Sequence, residues 1–228
     1  MRREDERMSL KRKQFEVLEA MVTGKQPMTQ RGLADATSHS LGTVNKVLKD
    51  LAEAGYIANG TVTQAGLTAM EPYRVKRAVI IAAGFGTRLV PITFNTPKPL
   101  VRVHGERIID RLLDACLAAG ISEIYIVRGY LSELFDQLLY KYPMIKFLEN
   151  PVYNEANNIS SALVARYLLS NAYVLEADLL LYNPKIIKPY QYASNYLGIK
   201  MQRSDDWIVR VKDGIIAEEK VGGEGSDI

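Results

Sequence analysis

The sequence is poor in residues that build covalent or metal-held scaffolds. It has one cysteine, Cys116, and two histidines, His39 and His104, in 228 residues. A single cysteine cannot form an internal disulfide and suits a reducing compartment such as the cytoplasm. It lies in a leucine-rich helical pattern, which favours a buried core residue over a nucleophile. The histidines lie far apart, without a second cysteine or histidine at ligand spacing, which argues against a zinc site.

Long hydrophobic runs and a strong net charge are also lacking. No apolar run approaches the ~20 residues of a membrane-spanning helix, and the charged residues 1–7 do not resemble a signal segment. We therefore expect a cytoplasmic protein without a membrane partner. The net charge is +3, and the excess lies in residues 1–76, which hold 12 Lys and Arg against 9 Asp and Glu. This excess has the sign that a nucleic-acid partner requires, but it is too small to establish one.

The first third of the chain has the hydrophobic periodicity of a small helical domain. The pattern predicts helices over 11–23, 28–37, 41–54 and 64–70, with two short strands around an Asn-Gly turn within 56–63. Thr29 and Ser40 are placed to cap the second and third helices. Three helices followed by a small hairpin resemble the winged helix-turn-helix domain of MarR-like bacterial regulators.

This resemblance implies a DNA-binding surface on the third helix, whose polar outer face would enter the major groove or meet phosphates. The residues concerned are Ser38, Ser40, Thr43, Asn45, Lys46 and Lys49, with Asn59 at the hairpin tip. Two alternatives stay open, because winged helices also bind proteins and because a polar helix face is often simply solvated. Specific DNA binding would call for a homodimer.

The strongest motif begins at residue 77. Residues 78–83 are apolar, as expected of a strand buried on both faces of a parallel sheet. A loop follows, in which Gly84 and Gly86 permit conformations and close approaches that a Cβ would obstruct. Arg88 and then Lys98, which stands between two prolines, add two cations. A strand, a small-residue loop with bare N–H groups and two cations together predict a polyphosphate site.

The same stretch resembles the signature A-A-G-x-G-T-R-L, P-x-T and P-K-P-L of the nucleotidyltransferases that make NDP-sugars and CDP-alcohols. This resemblance implies an α/β fold with a mainly parallel, Rossmann-like sheet and helices on both faces. Apolar strands that alternate with amphipathic helices favour the same fold. The pattern predicts strands over 78–82, 123–128, 145–148 and 173–177, and helices over 107–119, 131–141 and 158–169.

The junction over residues 71–76 carries a proline and charges and leads directly into the first of these strands. We place the domain boundary there, with a winged-helix domain over 1–74 and a nucleotidyltransferase domain over 75–228. Because the linker is short, we expect the two domains to touch.

The nucleotidyltransferase resemblance implies a set of site residues at the C-terminal ends of the strands. The nucleotide-binding set is Ala82, Ala83, Gly84, Phe85, Gly86, Thr87, Arg88, Lys98, Gly129, Tyr130, Asn150 and Asn158. Lys98 would stabilise the α-phosphoryl group and Arg88 the β- and γ-phosphates, as catalytic residues. Asp178 would bind Mg²⁺, with Glu176 in a supporting role. One of Asn157 and Asn158 is alternatively a helix cap.

The stretch 149–161 contains N-P-x-Y-x-x-x-N-N-x-x-S, which resembles the choline-phosphate cytidylyltransferases. This resemblance implies Mg²⁺-dependent transfer of a cytidylyl group from CTP to phosphocholine, or to a similar phosphorylated alcohol, with release of pyrophosphate. Two alternatives stay open: a sugar-1-phosphate nucleotidylyltransferase, and a transcription regulator whose C-terminal domain only senses a nucleotide.

The segment after residue 75 is short for this family, which implies an α/β domain without its C-terminal part and therefore without a second metal-binding carboxylate. Aromatic residues near the C-terminus could cage a choline group by cation–π contact, although aromatic residues at this density are more often core. They are Tyr190, Tyr192, Tyr196 and Trp207.

Overall fold

The computed structural model describes residues 10–24, 27–156 and 158–224, so Asn157 lies outside the described residues. The chain divides into two compact units, residues 1–192 and 193–228. In the part of the chain that is described, no helix is long and apolar enough to cross a membrane. The second unit contains a hairpin of β9 (Arg203–Lys212) and β10 (Ile215–Glu224).

The first unit begins with the predicted small helical domain. Its elements are α1 (Arg12–Thr23), α2 (Gln30–Thr37), α3 (Leu41–Glu53), β1 (Ile57–Ala58), β2 (Thr61–Val62) and α4 (Gln64–Met70). Both predicted caps are confirmed. Thr29 Oγ1 accepts a hydrogen bond from the Gly32 N–H at 3.1 Å, and Ser40 Oγ accepts one from the Thr43 N–H at 3.2 Å. Each satisfies a backbone donor that the first turn of a helix leaves without an acceptor.

After this domain the chain forms the elements of the α/β part. They are β3 (Arg77–Ile81), β4 (Arg102–Val103), β5 (Glu106–Arg107), α5 (Ile108–Ala118), β6 (Glu123–Arg128), β7 (Lys146–Glu149), α6 (Asn158–Val164) and β8 (Ala172–Glu176). Strands β3, β6, β7 and β8 form one parallel sheet in the order β7-β6-β3-β8. The prediction of a parallel sheet with four strands is therefore confirmed.

Alternate residues of the strands pack against opposite faces of this sheet, as the period of two in a strand requires. Ile80 belongs to the cluster that contains the apolar side of α5. Val79 belongs to a separate cluster with Val127 and Ala165, next to the end of α6. Full burial of each such side chain contributes about 1.5–3 kcal/mol relative to exposure. Cys116 is fully buried in the α5 cluster, and burial raises the pKa of its thiol to about 12, which confirms it as a core residue.

Two predicted helices differ in type or length. Ser132–Tyr140 is a 3₁₀ helix rather than an α-helix. The Ser132 carbonyl, in the first turn of this helix, accepts a hydrogen bond from Arg128 Nη1 at 3.0 Å. The predicted helix over 158–169 ends at Val164 and continues as a 3₁₀ turn. Arg166 Nη1 donates to the Leu163 carbonyl at 2.9 Å. In both places a guanidinium donates to a backbone carbonyl of the helical segment.

The two parts of the first unit touch, as the short linker predicts. The core of the small helical domain includes Tyr190, which is only 4% exposed although it follows the last strand of the parallel sheet. Tyr192 stacks on Tyr73, with ring centroids 5.6 Å apart. Tyr190 is thus a core residue rather than part of a choline cage.

Candidate active site

The segments that follow the four parallel strands lie side by side at one edge of the sheet. Backbone hydrogen bonds continue past the strand ends, from the Ala82 N–H to the Val127 carbonyl at 2.8 Å and from the Ala177 N–H to the Ile81 carbonyl at 3.0 Å. The Tyr130 N–H likewise donates to the Ala83 carbonyl at 3.1 Å. The residues predicted at strand ends are therefore neighbours in the structure.

The glycine loop follows β3. Gly86 has a left-handed backbone conformation with φ of 65°, and a Cβ there would stand 3.0 Å from Lys98 Cβ and 3.1 Å from Thr93 Cγ2. Gly86 is therefore required both for its conformation and for a close approach. A Cβ on Gly84 would meet nothing within 4 Å, so the loop faces open space at that residue.

The loop also presents backbone donors and a cation. Within the described residues, the N–H groups of residues 84–87 donate no hydrogen bond to other parts of the chain. Arg88 is exposed on the 3₁₀ turn Thr87–Leu89, and among the described residues it has no ion-pair or hydrogen-bond partner. Free N–H groups beside an unpaired guanidinium are suited to an anion with several oxygens, such as a polyphosphate.

The predicted catalytic lysine and the predicted metal ligand form a direct ion pair. Lys98 Nζ lies 2.5 Å from Asp178 Oδ2, although the two residues are 80 positions apart in sequence. Lys98 stands on the 3₁₀ turn Lys98–Leu100, and Asp178 follows β8. Their side chains remain 30% and 34% exposed. A ligand at this edge of the sheet can therefore reach both groups.

Thr93 connects the glycine loop to the end of β6. This residue is 2% exposed; its Oγ1 donates to the Gly86 carbonyl at 3.0 Å. Its own carbonyl accepts a hydrogen bond from the Tyr130 hydroxyl at 2.8 Å. Sequence analysis gave Thr93 no separate role, although the P-x-T motif marked its position. Tyr130 was predicted to bind the nucleotide. In the structure its hydroxyl fixes the backbone at Thr93.

Aromatic side chains border the loop. The ring of Phe85 lies 5.0 Å from that of Tyr130 and 5.4 Å from that of Tyr153, between centroids. A Cβ on Gly129 would stand 2.6 Å from atoms of Tyr153. Gly129 thus allows Tyr153 to pack at the end of β6. Sequence analysis assigned no role to Tyr153, and the signal for it was the Tyr of the N-P-x-Y motif.

The two predicted asparagines have different environments. Asn150 is 2% exposed, and its Nδ2 donates to Ser160 Oγ and Ser161 Oγ, both at 3.0 Å. Its side chain therefore fixes the segment that leads into α6. Asn158 is exposed and donates from Nδ2 to Glu176 Oε1 at 3.0 Å. Of the two amides, only that of Asn158 lies open beside an acidic strand end, and nucleotide contact by either residue stays a prediction.

The donors at Asp178 fit a magnesium ion that is shared with a nucleotide. No group of three or more His, Cys, Asp or Glu side chains forms a metal site in residues 10–24, 27–156 and 158–224. Mg²⁺ commonly uses only one or two protein carboxylates and completes its shell with phosphate oxygens and water. The carboxylate of Asp178, which is one third exposed near the glycine loop, is compatible with that pattern.

The predicted DNA-binding residues divide into two groups. Asn45, Lys46 and Lys49 are exposed on α3, and Lys49 is paired loosely with Glu53 at 3.8 Å. Ser40 serves the helix cap, and its Oγ lies 3.0 Å from Thr43 Oγ1. Ser38 and Asn59 have left-handed backbone conformations with φ of 56° and 50° at the ends of α2 and β1. The exposed cations of α3 are therefore available to a phosphate backbone.

Comparisons with known proteins agree with this geometry. A family model described as "Nucleotidyl transferase" matches residues 77–182, and a model of the MarR family matches residues 9–65. The 2-aminoethylphosphonate cytidylyltransferase of Lancefieldella rimae is 40% identical over 154 residues, which are 66% of this chain and 62% of that protein. The choline-phosphate cytidylyltransferase of Streptococcus pneumoniae is 34% identical over 152 residues, which are 64% of this chain and 66% of that protein.

The fold agrees as well. A solved structure of the CTP:phosphocholine cytidylyltransferase of Streptococcus pneumoniae superposes with a TM-score of 0.56 at 34% identity, covering 65% of this chain and 67% of that one. This chain spans slightly less than two thirds of the length of the two curated relatives named above. On these grounds the chain belongs to the nucleotidyltransferase family and carries a MarR-family winged-helix domain at its N-terminal side.

Proposed function

We propose that the chain transfers a cytidylyl group from CTP to a small phosphate or phosphonate compound that carries a cationic nitrogen, with release of pyrophosphate. The observation that carries this proposal is the Lys98–Asp178 pair, which stands next to a glycine loop with free N–H groups. The two relatives named above are cytidylyltransferases by name, which supports CTP as the nucleotide.

In this reaction an acceptor oxygen attacks the α-phosphorus of CTP, the bond from that phosphorus to the bridging oxygen breaks, and pyrophosphate leaves with the electron pair. An ionised phosphate or phosphonate is already a nucleophile, so no general base is required. Catalysis then depends on positioning and on charge stabilisation. The N–H groups of residues 84–87 and Arg88 would hold the leaving pyrophosphate, and Lys98 would neutralise charge on the α-phosphoryl group.

Asp178 would hold Mg²⁺ together with the phosphates, with Glu176 and Asn158 nearby. A bound Mg²⁺ would supply further neutralisation of phosphate charge. We expect the ammonium of Lys98 to turn from the carboxylate of Asp178 toward the α-phosphoryl group when CTP binds, because the negative charge of the phosphates attracts it.

The names of the two relatives support the proposed acceptor class. Phosphocholine and 2-aminoethylphosphonate both place a cationic nitrogen two carbons from the phosphorus-bearing end, so they share the signs and arrangement of their charges, although phosphocholine is larger by three methyl groups and an oxygen. We propose phosphocholine as the acceptor because of the 149–161 motif. The second candidate is 2-aminoethylphosphonate, because the chain has the higher identity to the transferase of that compound. A sugar 1-phosphate is the alternative without a positive charge.

For the N-terminal domain, residues 1–74, we propose DNA binding through α3. The exposed Asn45, Lys46 and Lys49 support it, since base contacts specify sequence and lysine–phosphate contacts position the protein. A homodimer would place two such helices in successive major grooves.

The test is pyrophosphate release from CTP and Mg²⁺ with phosphocholine, 2-aminoethylphosphonate and glucose 1-phosphate as separate acceptors. Release with phosphocholine or 2-aminoethylphosphonate, and not with glucose 1-phosphate, would support the proposal and identify the acceptor. Release with glucose 1-phosphate alone would replace it with the sugar-nucleotide alternative. Tight CTP binding in calorimetry without turnover on any acceptor would favour a nucleotide sensor.

A further inference from the structure

A single segment runs from the candidate active site to the winged-helix core. We call residues 179–192 the strap; it begins directly after Asp178 and ends at Tyr192. Near its end, Tyr190 is buried in the winged-helix core and forms an antiparallel bridge with Arg74. Tyr192 packs on Phe15 of α1, with ring centroids 5.5 Å apart. The winged-helix domain is therefore not completed by its own residues alone.

The strap is also fixed to the parallel sheet. Leu181 and Ile187 are 8% and 7% exposed and belong to the same core cluster as α5. The hydroxyl of Tyr173, in β8, accepts hydrogen bonds from the Lys188 N–H at 3.0 Å and from Gln191 Nε2 at 2.6 Å. The same hydroxyl lies 3.1 Å from the Lys188 carbonyl. A strand that ends two residues before Asp178 thus holds the part of the strap that enters the winged-helix domain.

A buried carboxylate completes the connection. Glu19 of α1 is 8% exposed, and its Oε2 lies 3.3 Å from Nζ of Lys188 in the strap. The side chain of Lys188 is 51% exposed, so removing Glu19 leaves a hydrated ammonium, whereas removing Lys188 leaves the buried carboxylate of Glu19 without this partner, which is the more costly change. The relative position of α1 and the strap therefore affects the free energy of the winged-helix domain.

We propose a further function for this chain: DNA binding by the winged helix that responds to CTP, with the strap as the coupling element. This inference rests on the proposed function, because it requires CTP at the Lys98–Asp178 site. We expect bound CTP to draw the ammonium of Lys98 away from Asp178, with which it pairs, and the strap starts directly after Asp178. Packed elements shift as units rather than deform continuously. A shift at Asp178 would therefore reach Lys188 and Tyr190.

Coupling between two binding sites is reciprocal in free energy, so DNA binding would change CTP affinity by the factor by which CTP changes DNA affinity. If the strap carries this coupling, we also expect a substitution that disturbs its contact with α1 to change CTP affinity. This allows a test in which the altered residue lies in the helical domain, away from the nucleotide. Glu19→Gln removes the charge at nearly constant shape, and Lys188→Met removes its partner. Glu53→Gln is the matched control, because Glu53 is 66% exposed on α3 and pairs only with Lys49 in the described residues.

The Kd of CTP is measured by calorimetry in the presence of Mg²⁺ for the full chain and the three variants. We expect Glu19→Gln and Lys188→Met to change this Kd by about fivefold or more, the lower range of typical coupling, and Glu53→Gln to leave it unchanged. Circular dichroism melting shows whether each variant is folded. If one of the first pair is unfolded, the other carries the test.

The second measurement uses DNA. A fluorescent duplex is selected from a random-sequence pool by the protein itself, and its Kd is measured by anisotropy with and without CTP. We expect CTP to change this Kd by about fivefold or more in the wild type, and by less in Glu19→Gln. Hydrogen exchange of α1 should change on addition of CTP.

The outcomes are distinguishable. CTP that binds with the same Kd in all variants, without an effect on α1 exchange or on DNA affinity, would overturn the coupling and leave the cytidylyltransferase proposal intact. A wild-type chain that fails to bind CTP would overturn both proposals. A DNA affinity that changes when CTP is added to the wild type, and changes less in Glu19→Gln, would establish the coupling.

Discussion

Lys98 Nζ and Asp178 Oδ2 lie 2.5 Å apart. The ammonium of Lys98 therefore occupies the place where a metal cation would bind Asp178. A metal ion must compete with Lys98 for this carboxylate until a polyphosphate draws the ammonium away. We therefore expect Lys98→Met to strengthen Mn²⁺ binding to the nucleotide-free chain by about three- to tenfold, the range of a half-exposed ion pair of about 1 kcal/mol. Electron paramagnetic resonance of free Mn²⁺ measures this directly.

The control for this measurement is Asp178→Asn, which should abolish the site in both backgrounds. Adding CTP to the wild-type chain should strengthen Mn²⁺ binding by more than the affinity of CTP itself for the ion, measured without protein, accounts for. Equal Mn²⁺ affinity in the wild type and Lys98→Met would show that the lysine does not mask the carboxylate.

Turnover should depend on Lys98 far more than stability does. Lys98→Met keeps most of the apolar stem and removes the charge that would stabilise the α-phosphoryl group. We expect kcat for pyrophosphate release to fall by about 10²–10³-fold, as for removal of one preorganised electrostatic group, with an unchanged melting temperature. Lys146→Met is the matched control. Lys146 lies at the N-terminal end of β7, over the ring of Tyr125, whereas the candidate site lies at the C-terminal ends of the strands. Unchanged turnover in Lys98→Met would remove the central assignment.

The sequence predicted the site better than it predicted the connections around it. The glycine loop and the strand ends were predictable, because apolar runs define parallel strands and small residues define the loop. Tyr190 in the winged-helix core was not, since no periodicity links a residue near 190 to helices that end before 71. The 3₁₀ helix over Ser132–Tyr140 was also missed. The apolar pattern of this segment does not indicate whether its backbone hydrogen bonds span three or four residues.

The hydroxyl of Thr93 should position the glycine loop and, through it, Lys98. Thr93→Val retains the methyl group against Gly86 and removes the hydrogen bond to the Gly86 carbonyl. We expect kcat to fall by about tenfold, because a small misplacement of a reacting group costs rate, with a smaller change in the KM for CTP. Thr93→Ser restores the donor and should recover most of the rate. Equal rates for the valine and serine variants would mean that the hydroxyl positions nothing.

Acid stability should depend on Glu123 at the start of β6. The Tyr125 hydroxyl at 2.8 Å and then Arg77 Nε at 3.0 Å donate to its carboxylate and lower its pKa from the ordinary value. A carboxyl with a lowered pKa in the folded state stabilises the fold above its unfolded pKa, about 4.3. That stabilisation is lost as pH falls through the folded pKa.

Glu123→Gln should therefore lower the melting temperature at neutral pH and make its decline below about pH 4.3 shallower than in the wild type. Melting followed by circular dichroism between neutral and acidic pH measures both effects. Glu155→Gln, at an exposed residue without an ion pair among the described residues, is the control. Parallel melting curves for the wild type and Glu123→Gln across the acidic range would contradict the assignment.

The lysines of α3 should carry the electrostatic part of DNA binding. Lys46 and Lys49 are three positions apart on one exposed helix face, so both can reach phosphates of one groove. Replacing both by alanine removes two phosphate contacts, and the slope of log K against log salt concentration should fall in magnitude by about 1.8, from about 0.9 per contact. The control is Lys13→Ala, which removes an exposed charge from α1 and should change the slope little. If the face of α3 is only solvated, the double variant and the wild type should have the same slope. Fluorescence anisotropy over a salt series therefore separates DNA contact by α3 from a solvated helix face.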